Sequence, residues 1–171
     1  MTELLTQPEM SFVGQVYMPE DTDQMGTFSA CWDEFNEAGH FDKLDQQTDD
    51  PNRTYLLIFS PYGTFQYWIG SILPKDATAP AGLEKLKLPA GTIGQAVEDA
   101  NGVLSMLPVE TTYMKGLERL EKAGFPLPQH IGQTDHPYYL EEYCLKDGQV
   151  AQVKHTLYIN LDQLEGYDEF D

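Results

Sequence analysis

Basic residues are scarce in this chain: 10 Lys plus Arg stand against 28 Asp plus Glu, a formal net charge of −18 over 171 residues. Nucleic-acid binding depends on clustered Lys and Arg that displace counterions from phosphates, and no such cluster occurs, so direct nucleic-acid binding is excluded. Cysteine is nearly as scarce, with Cys31 and Cys144 far apart in sequence. The opening MTELLTQPEM carries neither a basic segment nor a long apolar run. Together these point to a cytoplasmic protein with reduced thiols. No apolar run approaches the roughly 18 residues that a membrane span requires, so no membrane association is expected.

What remains fits one domain, with a core over about residues 12–161 and an acidic tail, 162–171, expected to fray. The acidic balance reads first as a solvated surface. It also suits attraction of cationic ligands, or mimicry of DNA before a basic partner.

The apolar pattern changes period in an order that occurs twice. SFVGQVYM alternates as a strand; Phe28, Cys31, Trp32 and Phe35 then recur at helical spacing, and Gly39 ends the helix. RTYLLIFS and TFQYWIGSIL follow as two strands joined at the turn residues PYG. In the second half, LEKLKLPAGTIGQAVE is extended and VETTYMKGLERLEKAG is helical, with Tyr113, Leu117 and Leu120 on one stripe and a stop at Gly124. PYYLEEYCL then pairs with VKHTLYINL. Strand, helix, strand, strand, twice over, predicts an α+β fold: an antiparallel sheet with both helices packed against it and a ligand cleft where the halves meet.

Within HPYYLEEYCLKDG, alternation puts Tyr139, Glu141 and Tyr143 on one side of a strand and Tyr138, Leu140, Glu142 and Cys144 on the other. One of the two adjacent glutamates is therefore expected to be covered. Trp32 lies on the apolar stripe of the first helix, a core position that a cleft-facing helix also presents to a ligand. Tyr67 and Trp68 must face opposite ways; Trp68, whose flat face suits a planar cation, is the one expected to line the cleft. His40, His130, His136 and His155 show no ligand-like spacing, so no metal site is expected. PAGTIG lacks the strand-to-helix setting of a phosphate loop, and no cofactor is expected.

Taken in order, CWDEF, YWIGSIL, LEKLKLPAGTIGQAVE, GFPL, PYYLEEY and HTLYINL resemble the GyrI-like family, the small-molecule-binding domain also fused to DNA-binding helices in multidrug-sensing regulators. The resemblance implies two βαββ units related by a pseudo-two-fold, with a cleft between their helices. Its recurring Glu-x-Tyr falls on Glu141 and Tyr143, which makes Glu141 the pocket carboxylate and Glu142 the solvent-side one; with the positions read above, Tyr139, Tyr143, Trp32 and Trp68 are expected to line the site. No helix-turn-helix segment precedes Phe12, so the expected relatives are stand-alone members. Three functions follow from the resemblance. The first is sequestration or sensing of aromatic, cationic, drug-like molecules. The second is hydrolysis of cyclopropane-bearing genotoxic natural products, with Glu141 as general base and Tyr143 or a Trp orienting the water. The third is inhibition of DNA gyrase through the acidic surface.

Overall fold

Eight extended segments form one antiparallel sheet in the computed structural model, which describes residues 3–60, 64–99 and 109–164. In chain order the elements are β1 (Leu5–Gln7), β2 (Met10–Tyr17), α1 (Ser29–Glu37), α2 (His40–Asp45), β3 (Asn52–Phe59) and β4 (Phe65–Leu73). They continue with β5 (Glu84–Leu88), β6 (Gly91–Asp99), α3 (Val109–Lys122), β7 (Tyr138–Lys146) and β8 (Gln149–Tyr158). The expected Pro-Tyr-Gly turn and residues 165–171 of the acidic tail lie outside the described residues. No described helix is long and apolar enough to cross a membrane.

The strand order is β1-β6-β8-β7-β3-β4-β2-β5. Its centre has the arrangement expected of two strand–helix–strand–strand units: β6-β8-β7 meets β3-β4-β2 at a β3–β7 seam. The mixed α+β architecture anticipated from the repeated pattern is present.

Three features depart from the expectation. Gly39 takes a left-handed φ of 76° and does end α1, but the chain re-enters a short helix, α2, at once. Arg53 on β3 holds that helix with a two-pronged pair to Asp45, at 2.7 and 3.0 Å, while its guanidinium lies over Phe41. The short edge strand β1 had no sequence signal. The segment LEKLKLPAGTIGQAVE is not one extended unit but two strands, because Pro89 has no N–H to continue a ladder. β5 pairs with β2 and β6 pairs with β8, toward opposite ends of the sheet.

The sheet is curled, and it carries a core on each face. On the helix face Phe35, Leu44, Leu57, Ile69, Leu120 and Leu157 are buried, each large apolar side chain contributing about 1.5–3 kcal/mol. On the concave face Leu88 of β5 and Ile93 of β6 join Phe12, Leu56 and Leu140 in a second cluster. Close strand approach at the Gly14–Gly70 pair helps the curl, since a Cβ on either glycine would run into the other strand's backbone.

One irregularity sets the register of the last hairpin. Asp147 and Gly148, both at positive φ, make the two-residue turn, and Lys146 pairs with Gln149 and Leu145 with Val150. The next pair is Cys144 with Gln152, so one extra residue in β8, Ala151, forms a bulge. Beyond it Glu141 faces His155 and Glu142 faces Lys154.

Candidate functional site

Strand alternation places Tyr139, Glu141 and Tyr143 of β7 on the helix face, opposite Leu57, Tyr55 and Arg53 of β3. Glu141 is 1% exposed. Its Oε2 accepts a short hydrogen bond from the Tyr143 hydroxyl. Its Oε1 lies 2.9 Å from Nδ1 of His155 and 3.3 Å from the Tyr139 hydroxyl. Desolvation, acting with the nearby carboxylate, keeps the hydroxyls of Tyr139 and Tyr143 well above their ordinary pKa, so they remain donors.

His155 extends the arrangement outward. Its Nε2 is 3.2 Å from Oε1 of Glu98 on β6, and Arg119 of α3 pairs with the other oxygen of Glu98. Burial acts against a charge on the imidazole, but the hydrogen bonds and charges of Glu141 and Glu98 outweigh it and hold the pKa above 6.5. The result is a chain of alternating basic and acidic groups, Arg119, Glu98, His155 and Glu141, running from the helix surface to the buried carboxylate.

Aromatic side chains surround that carboxylate. Tyr55 stacks on Tyr67 at 5.0 Å, Phe28 stacks on the other side of Tyr67 at 3.8 Å, and Trp32 of α1 donates its indole N–H to the Tyr67 hydroxyl at 2.7 Å. Trp32 also approaches Tyr143, with ring centroids 6.4 Å apart. From the other helix Tyr113 meets Tyr139 edge-on at 5.2 Å, and Thr112 bonds the Tyr55 hydroxyl at 2.9 Å. Trp32 and Tyr113 are both partly exposed, one on each helix over the aromatic floor. Gly116 lets α3 seat this closely, because a Cβ there would collide with the Tyr139 hydroxyl.

Glu141, Tyr139, Tyr143 and Trp32 thus come together, and Trp68 does not. Trp68 pairs with Leu56 on the concave face, where it meets Phe12 edge-on at 6.3 Å; its neighbour Tyr67 takes the helix face, stacked on Tyr55, which lies opposite Glu141. The helices cover the face that carries odd-numbered residues of β4, which alternation alone does not identify. Glu142 also departs from its expected solvent position. It faces a cavity of about 520 Å³ on the concave side, lined also by Asp50, Cys144, Gln152 and Lys154. Burial raises its pKa, against the pull of Lys154. The thiols are held protonated, mainly by burial, with Cys31 pushed up to about 11 and Cys144 to about 12.

Residue spacing alone does not single out His155, although a signal exists: once Asp147-Gly148 is taken as the turn, His155 lies within one position of Glu141 across the hairpin. Its ionisation has a consequence for stability. A pKa higher in the folded than in the unfolded chain means that protonation favours folding. That contribution is complete below about 6.5 and is lost as pH rises through the folded value. The urea midpoint of the wild type should therefore fall as pH rises from 6 to 9, and His155→Gln should show a flatter profile. His40, whose pKa burial lowers, titrates in the opposite sense and is common to both proteins. Parallel profiles would assign the pH dependence to other groups.

No model of a known protein family matches the sequence. Solved structures that share its architecture over nearly the whole chain include the following two. SAV2435, solved bound to tetraphenylphosphonium, superposes with a TM-score of 0.59 at 16% identity, covering 93% of each chain. The integron cassette protein VCH_CASS2, from the mobile metagenome of Vibrio cholerae, gives 0.55 at 12% identity over 92% of this chain and 95% of that one. The chain has the fold of these two proteins. At such identities the likeness concerns the fold, which agrees with what the GyrI-like resemblance implied.

Proposed function

We propose that this protein is a GyrI-like small-molecule-binding protein that sequesters or senses aromatic cations, held over the β3–β7 seam between α1 and α3 with Glu141 as counter-charge. The observation that carries this reading is one carboxylate, 1% exposed, held by the hydroxyls of Tyr139 and Tyr143 and by His155, with Tyr55 opposite it on β3. Desolvating a carboxylate costs several kcal/mol, so a fold that keeps one among aromatic rings retains it against a stability cost. Ring faces attract a cation and add apolar contact, while the carboxylate supplies the opposite charge. The shared fold with SAV2435, a protein captured with tetraphenylphosphonium, supports the same ligand class. Trp32 and Tyr113 are the side chains whose displacement would open the way in.

Calorimetric titration with tetraphenylphosphonium tests this. Glu141→Gln preserves shape and removes charge, and should weaken binding by about 1–3 kcal/mol, typical of a lost charge-assisted contact. Glu142→Gln, on the opposite face, should change little. Equal losses from both substitutions would mean that the general acidic surface, rather than this site, attracts the cation.

A further inference from the structure

We propose that His155 is the resident counter-ion of Glu141, and that an aromatic cation takes this site in exchange for the imidazolium proton, so that binding releases one proton. The inference rests on the binding site described above and adds its regulation.

The geometry offers two proton arrangements on one set of heavy atoms. With His155 protonated, Nδ1–H donates to Glu141 Oε1 at 2.9 Å and Nε2–H donates to Glu98 Oε1 at 3.2 Å. The Tyr139 hydroxyl then donates to Glu141 Oε1 at 3.3 Å. With His155 neutral, Nε2 keeps its proton on Glu98 and Nδ1 becomes an acceptor. The same Tyr139 hydroxyl lies 3.1 Å from Nδ1, so turning its O–H satisfies the ring without moving a heavy atom. That turn takes both donors off Oε1 of Glu141, while Tyr143 continues to hold Oε2. One state is paired internally; the other presents an uncompensated carboxylate oxygen to a ligand.

The exchange follows from charge. Glu141 and His155 are both buried. An imidazolium and a ligand cation placed on one buried carboxylate repel each other with little solvent screening. Among the described residues, the charged and titratable groups facing His155 are Glu141 and Tyr139 from β7, Glu98 from β6, and Arg119 of α3 acting through Glu98. Lys154, its neighbour in β8, belongs to the opposite face. Protonated protein plus cation therefore gives neutral-imidazole complex plus one proton, and charge balances on both sides. Two acidic partners raise the His155 pKa against the effect of its burial, so below that pKa the cation has to displace the imidazolium proton.

Titration of the wild-type chain with tetraphenylphosphonium from pH 5.5 to 8.5, in two buffers of different ionisation enthalpy, decides the matter. The dissociation constant should fall by up to tenfold per pH unit below the His155 pKa and level off above it. Close to one proton should be released per ligand at the acid end. His155→Gln should bind with the same affinity across that range and release none. The wild-type measurement stands alone if that variant does not fold. In the ligand-free protein, the His155 Cε1–H resonance should titrate at lower pH in Glu141→Gln than in the wild type. Binding that is tight, independent of pH and free of proton release would overturn the exchange and leave the binding function standing. An unchanged His155 titration in Glu141→Gln would overturn the counter-ion assignment, and failure to bind at any pH would overturn the binding function and the exchange together.

Discussion

His155→Leu is expected to destabilise the fold by about 3–5 kcal/mol, the usual result of removing one member of a buried ion pair and leaving the other charge uncompensated. A domain of this size is stable by roughly 5–15 kcal/mol in total, so the variant should be marginal at 37 °C. The loss comes mainly from what stays behind. Leucine roughly preserves the volume of imidazole, but Glu141 remains enclosed with its cation gone, and Glu98 loses its inner partner. The Tyr139 and Tyr143 hydroxyls still reach Glu141 and supply donors, though not charge. Adding Glu141→Leu to His155→Leu removes the stranded carboxylate, and the double variant should recover most of the loss. Urea unfolding of the two singles and the double gives the coupling directly. If His155→Leu stays within about 1 kcal/mol of wild type, the pair does not bear on stability in the way its burial implies.

Gly116→Val should cost about 3 kcal/mol, with a fall in Tm of roughly 6–12 °C, by forcing α3 away from the sheet. In an exposed helix, replacing Gly improves helix propensity, and Ala gains about 1 kcal/mol. Here the sign reverses because the first side-chain carbon meets the Tyr139 hydroxyl and its ring carbon, with His155 Nδ1 just behind at 3.1 Å. Gly116→Ala should show the same reversal at smaller size. Tyr139→Phe in the Gly116→Ala background removes the atom that is struck, and should restore part of the stability. The thermal unfolding cycle of these four proteins measures the contact; additivity of the two substitutions would show that Gly116 is not there to admit the tyrosine.

The sequence made some of this site readable and hid the rest for definable reasons. Alternation in YYLEEYCL was enough to separate Glu141 from Glu142 and to group Glu141 with Tyr139 and Tyr143, because side-chain direction along a strand is a local property. Which face the helices cover is not local, and so Trp68 was expected where Tyr67 stands. The identity of Glu141's partner depended on a single residue. Continued without the Ala151 bulge, the pairing of Leu145 with Val150 would bring Lys154 opposite Glu141, and a fixed cation would replace a titratable one. Turn residues mark the hairpin end, but nothing in CLKDGQVAQVKH marks the bulge. The split of LEKLKLPAGTIGQAVE was signalled by Pro89, whereas its strands' placement toward opposite ends of the sheet follows from tertiary pairing alone.

That split also limits how the molecule can deform. In the strand order, β6 and β5 are six steps apart, which in a flat sheet would separate them by about 29 Å. Leu88 and Gly91 are joined by three residue steps, and even a fully extended chain spans at most about 11 Å over that distance. The curvature is therefore imposed by chain length as well as by packing, and no ligand can flatten the sheet without first stripping β5 or β6 from its neighbour. The β3–β7 floor behaves as a fixed back wall, and any adjustment of the site to molecules of different size has to come from the helix side, through α1, α3 and the side chains they carry.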